Sequence, residues 1–148
     1  MASFAFRLER LRALVDGRRS VRAQELRAAQ SVERGAREDL AATTVERRAE
    51  LEALRTHAGR EAVDLDVWAA GQGGYQVLRG REAAAEREVA EAAARLEEAR
   101  GAYVRERQAG EVLDRLRTRR EQVWSEEQAR REQAALDDQR PAPGGVRP

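Results

Sequence analysis

Proline is missing from the first 140 residues of this chain, and Pro141, Pro143 and Pro148 stand together in the last eight positions. A proline inside a helix removes a hydrogen bond and clashes with the preceding turn at a cost of about 3 kcal/mol, so nothing before the tail forces a helix to end. The remaining composition points the same way: alanine, leucine, arginine, glutamate and glutamine dominate, and isoleucine is absent. With 37% charged residues, 4% aromatics and a mean hydropathy of -0.78, the chain has little material for a wide core. This is the composition of a coiled coil or long helix.

Periodicity sharpens that reading. Phe4, Leu8, Leu11 and Val15 form one helical stripe that a partner helix must cover. Continuing the register brings Arg18 and Arg22 to seam positions, and the stripe resumes with shifted spacing through Leu26, Ala29, Val32, Ala36 and Leu40. Leu51, Leu54 and Ala58 close the first half. From Leu78 a regular heptad runs through Ala85, Val89, Ala92, Leu96, Ala99 and Tyr103. It slips near Gly110, then continues as an apolar edge of Ala109, Leu113, Leu116 and Val123, with Trp124 beside it.

Two interruptions compete for the turn between these halves. One runs from Gly59 to Asp64, where Asp64 can cap a new helix; the other is Gly71-Gln72-Gly73-Gly74. The expected fold is therefore all-α, a long two-helix antiparallel coiled-coil hairpin over residues 1–140. Helix one spans about 3–58, the turn region 59–74, and helix two runs from 65 or 75 to 138, with residues 141–148 a disordered tail. A hairpin of this kind has a core one side chain thick and no interior wide enough for a pocket, and its stability is expected to be marginal. Glu-to-Arg pairs at i,i+4 (Glu33 with Arg37, Glu91 with Arg95, Glu111 with Arg115, Glu126 with Arg130, Glu127 with Arg131) support the helices by only about 0.2–0.5 kcal/mol each.

Motifs for chemistry are not found. His57 is the sole histidine, and no HExxH or EF-hand pattern occurs. The chain has no lysine, so the Gly71–Gly74 run cannot be a Walker A loop. The reading is of a non-enzyme with no cofactor, no metal and no catalytic residues. Lack of cysteine allows a reducing compartment, and neither a signal peptide nor a membrane span is indicated. A net charge of +1 gives no general pull toward nucleic acid. The charge is unevenly spread, however: residues 1–34 hold eight arginines against four acids, and residues 104–131 eight against six. A hairpin brings both basic segments to the same end, where they would suit an acidic partner surface.

The opening FAFRLERLRAL (Phe4 to Leu14) and the closing VLDRLRTRREQVWSEEQARREQAALDD (Val112 to Asp138) resemble the first and last signatures of the flagellar export protein FliJ family. The matching residues are Phe6, Arg7, Leu8 and Leu11, then Leu113, Leu116, Arg119, Arg120, Glu121, Glu132, Gln133, Leu136 and Asp137. Gly71, Gly73 and Gly74 depart from the pattern, standing where that family has an aromatic and leucine-rich entry into its second helix.

The resemblance implies a stalk-like coiled coil of the flagellar type III export apparatus, monomeric in isolation. Its implied partners are the hexameric export ATPase, an export-gate membrane protein and export chaperones, with no nucleic acid. Mapping then implies ATPase-ring contact for Arg7, Arg10, Arg115, Arg119 and Arg120, chaperone contact for Glu132, Gln133 and Leu136, and gate contact for Trp68 and Tyr75. The implied location is cytoplasmic, peripheral to the inner face of the cell membrane through its partners. An equivalent stalk of a non-flagellar type III secretion system and a generic coiled-coil dimer share the same sequence texture.

Overall fold

The computed structural model describes residues 4–138, and the expectation of a disordered tail falls outside them. Two helices account for almost all of this span: α1, Glu9–Ala58, and α2, Leu65–Asp138. The fold is an all-α helical hairpin, and no strand occurs among the described residues. Among the described residues, no helix is long and apolar enough to cross a membrane.

The first helix starts later than its stripe suggests. Phe4, Ala5 and Phe6 are irregular, and Glu9 N donates to the Phe6 carbonyl at 3.0 Å before the regular ladder begins. The turn lies at Gly59–Asp64, and Gly71, Gly73 and Gly74 are helical. Two features explain why the glycines do not break α2. Asp64 Oδ1 accepts from the amides of Asp66 at 3.0 Å and Val67 at 3.3 Å, which caps the helix seven residues earlier. Gly71 also leaves room for a close approach, since a Cβ there would lie 2.6 Å from Leu54 Cδ2. The helix preference lost at a glycine, about 1 kcal/mol, is offset here by packing that a larger residue would obstruct.

The helices form two compact units, each an antiparallel pair. The middle unit covers Ser20–Val104. Its core is Leu54, Ala85, Ala92 and Leu96, with Leu78, Val89, Ala99 and Tyr103 half-buried, so the heptad read from Leu78 is the covered face of α2. On α1 the opposing stripe is Leu26, Ala29, Ala36 and Leu40. Val32 and Ala58, expected on the seam, are exposed, because a straight helix at 3.6 residues per turn carries positions at shifted spacing off the contact line. A polar cluster sits in the same unit: Thr44 Oγ1 donates to Glu82 Oε1 at 2.9 Å, and Arg47 Nε lies 2.5 Å from Glu82 Oε2. The Nε–H is not aimed at that oxygen, so the second contact is ionic rather than a hydrogen bond.

The terminal unit joins residues 4–19 with 105–138. Val15 and Leu113 are its buried apolar residues. The slip expected near Gly110 is a site of close packing, for Gly110 is buried and a Cβ there would touch Val15 Cγ1 and Arg19 Nη1, each at 3.8 Å. Leu8, Leu11, Ala109 and Val123 are exposed rather than sealed in the seam. With one helix against another, a side chain displaced slightly from the contact line meets solvent.

Candidate partner-binding site in the terminal unit

The chain has no lysine, and the arginines of the terminal unit differ in what they meet. Arg12 and Arg117 hold the helices together. Arg12 Nε donates to Asp114 Oδ1 at 2.7 Å and its Nη1 to Glu9 Oε1 at 3.2 Å, while Arg117 Nε stands 3.7 Å from Glu9 Oε2. The hydrogen bond to Asp114, then that to Glu9, raises the Arg12 guanidinium above its ordinary value. Arg7, Arg10, Arg115, Arg119 and Arg120 are exposed and form no ion pair among the described residues. These five are the residues to which the family resemblance assigns ring contact. They share one unit with Glu9 and Asp114 nearby, yet both acids are committed to the clamp.

Between the irregular residues 4–8 and the 116–127 stretch of α2 lies an open groove of about 590 Å³. Phe4, Phe6, Leu8, Leu116, Val123 and Trp124 supply its apolar wall, and Arg7, Arg120 and Glu127 its polar edge. The Phe4 and Trp124 rings face each other at 6.0 Å between centroids and 53° between planes, within the range of favourable tilted aromatic pairs. A shallower hollow of about 320 Å³ is lined by Leu116, Arg119, Arg120 and Val123. The expectation of a hairpin with no pocket in its interior left this surface groove unforeseen. The sequence marks Phe4 on the opening stripe and Trp124 beside the closing edge, but not that they meet.

Glu132, Gln133 and Leu136 lie in the last turns of α2, where residues 129–138 are exposed throughout. Gln133 Nε2 donates to Asp137 Oδ1 at 3.1 Å, and Leu136 is 62% exposed. Nothing in the described fold covers them.

In the middle unit, Trp68 and Tyr75 are both half-buried and serve different surroundings. Trp68 closes the first turn of α2, its amide donating to the Asp64 carbonyl at 2.9 Å. Exposed Val63, Leu65 and Val67 stand close to it in sequence, an apolar cluster that periodicity does not mark because it lies at the turn. Tyr75 adjoins the polar cluster: Glu82 chiefly raises the Arg47 guanidinium above its ordinary value, and the Tyr75 hydroxyl adds to that. Glu82 is lowered, first by the Thr44 hydroxyl and then by Arg47, while burial opposes the shift. His57 Nε2 lies 3.1 Å from the Asp64 carbonyl oxygen, which can only accept, so the ring braces the turn as a donor.

Of the expected i,i+4 pairs, Glu33 with Arg37, Glu91 with Arg95 and Glu126 with Arg130 are formed, whereas Glu111 pairs with Arg107 in place of Arg115, and Glu127 and Arg131 form no ion pair among the described residues. No group of three or more His, Asp or Glu side chains suited to a metal ion occurs among the described residues.

No curated protein and no solved structure matches the chain. The family model described as "Flagellar FliJ protein" matches residues 4–140, nearly the full length and both ends of the hairpin. With its two-helix fold and its order of signatures from Phe6 to Asp137, this chain belongs to the FliJ family of flagellar export-associated coiled-coil proteins.

Proposed function

We propose that the chain is a non-catalytic stalk component of the flagellar type III export apparatus, binding the hexameric export ATPase through its terminal unit and promoting assembly and activity of the ring. The observation that carries this reading is the set of five exposed arginines, Arg7, Arg10, Arg115, Arg119 and Arg120, which stand in one unit and form no ion pair among the described residues. A rod needs no catalytic group to act this way. It supplies a shape and a charge pattern that favour the assembled ring over its separate subunits, and binding shifts that equilibrium by mass action.

The exposed Glu132, Gln133 and Leu136 are assigned to export chaperones, and Trp68 with Tyr75 to the membrane-embedded export gate, where the exposed Val63, Leu65 and Val67 widen the apolar contact. These contacts make the protein cytoplasmic and peripheral to the inner face of the cell membrane. The match to a flagellar family favours this assignment over a non-flagellar secretion stalk. The test is to add the purified chain to the purified export ATPase of the same cell. Nucleotide hydrolysis rises with chain concentration if the reading is right, and a flat response removes it.

A further inference from the structure

The terminal groove gathers three of the chain's six aromatic rings, Phe4, Phe6 and Trp124, so its aromatic content is concentrated at one surface. Leu116 and Val123 complete an apolar floor that the described chain leaves open. Around it stand Arg7 and Arg120, with Arg119 beside the adjoining hollow, against one acid, Glu127. This combination selects its occupant. A basic segment would be repelled, and an acidic one would find guanidiniums that have no carboxylate partner among the described residues.

Resting on the ring-binding reading above, we propose that this groove receives an apolar side chain, leucine or an aromatic, carried on an acidic segment of the export ATPase, with the flanking carboxylates taken up by Arg7, Arg119 and Arg120. The anchor seats on the Leu116 and Val123 floor beside the tilted Phe4–Trp124 pair, where burial removes both partners' apolar surface from water. The guanidiniums set orientation and encounter rate and respond to salt. The apolar contact does not.

The experiment uses the full chain with Trp68→Phe, which leaves Trp124 as its single indole, grown with 5-hydroxytryptophan so that it is excited apart from the indoles of the ATPase. Saturating ATPase is expected to cut acrylamide quenching of Trp124 about twofold, and Val123→Asp, at a position 46% exposed, to weaken binding about tenfold even in high salt. Circular dichroism confirms that the variant is folded. If ATPase binds with unchanged quenching, or if Val123→Asp binds as tightly as the parent, the groove inference falls while ring binding stands. If no binding is seen at all, both fall together.

Discussion

Arg12 Nε lies 2.7 Å from Asp114 Oδ1, joining residues 102 positions apart in the chain. That contact fixes the start of α1 against the last third of α2, and it draws Glu9 and Asp114 away from the neighbouring arginines. In the same unit Arg7, Arg10, Arg115, Arg119 and Arg120 are exposed and form no ion pair among the described residues.

A core one side chain thick concentrates stability in a few residues. Leu96→Ala, at a buried position of the middle unit, is expected to cost about 2–4 kcal/mol in denaturant unfolding. Val45→Ala, at a position 65% exposed on the other helix, should change stability by less than about 0.5 kcal/mol. Equal effects would mean that the contact face has been misplaced.

Two glycines two positions apart in α2, Gly71 and Gly73, should respond in opposite directions. Gly73→Ala places its methyl group in open space and is expected to stabilise by about 1 kcal/mol through helix preference. Gly71→Ala drives a methyl group against buried Leu54 and is expected to lose about 1–3 kcal/mol to overpacking, erasing that gain. Thermal unfolding of the two variants side by side decides this.

The turn is held by its cap. Asp64→Ala removes the acceptor for the Asp66 and Val67 amides and should cost about 1 kcal/mol, with hydrogen exchange rising first in the opening turn of α2.

Acid should loosen the middle unit through Glu82. Its carboxyl is lowered from the ordinary 4.5 by the Thr44 hydroxyl and then Arg47, so the unfolded chain takes up the proton first. The stabilisation is complete above pH 4.5 and is lost as pH falls through the lower folded value. Glu82→Gln should therefore give a shallower decline of Tm with acidification below pH 4.5 than the parent chain, and parallel curves would refute the linkage.

How much of this was legible beforehand depended on whether a residue speaks through period or through position. Ala85, Ala92 and Leu96 announce their burial because each recurs at heptad spacing and meets a neighbouring helix at that spacing. Val32 and Val123 fit a stripe on paper but stand exposed, since where a side chain lies across a two-helix contact depends on rotation that spacing alone does not define. Gly71 was ambiguous for a different reason. Its propensity argues for a turn, and only the Leu54 side chain packed against it, 17 residues earlier in the chain, shows why a helix tolerates it. Of the site, the five exposed arginines stand in segments that local charge and the terminal signatures mark in the sequence. The groove is not so marked, because Phe4 and Trp124 are brought together only by the pairing of opposite ends of the sequence.

That pairing is the claim on which the rest stands, and a distance tests it. Spin labels at Ala13→Cys and Val112→Cys, in a chain with no native cysteine and diluted with unlabelled protein so that only intramolecular distances are read, sit on facing stretches of the terminal unit. The hairpin predicts a separation below about 25 Å, two packed helix radii plus the label arms. A continuous helix would hold the labels about 150 Å apart at its 1.5 Å rise per residue, and loss of the short distance on dilution would contradict the account.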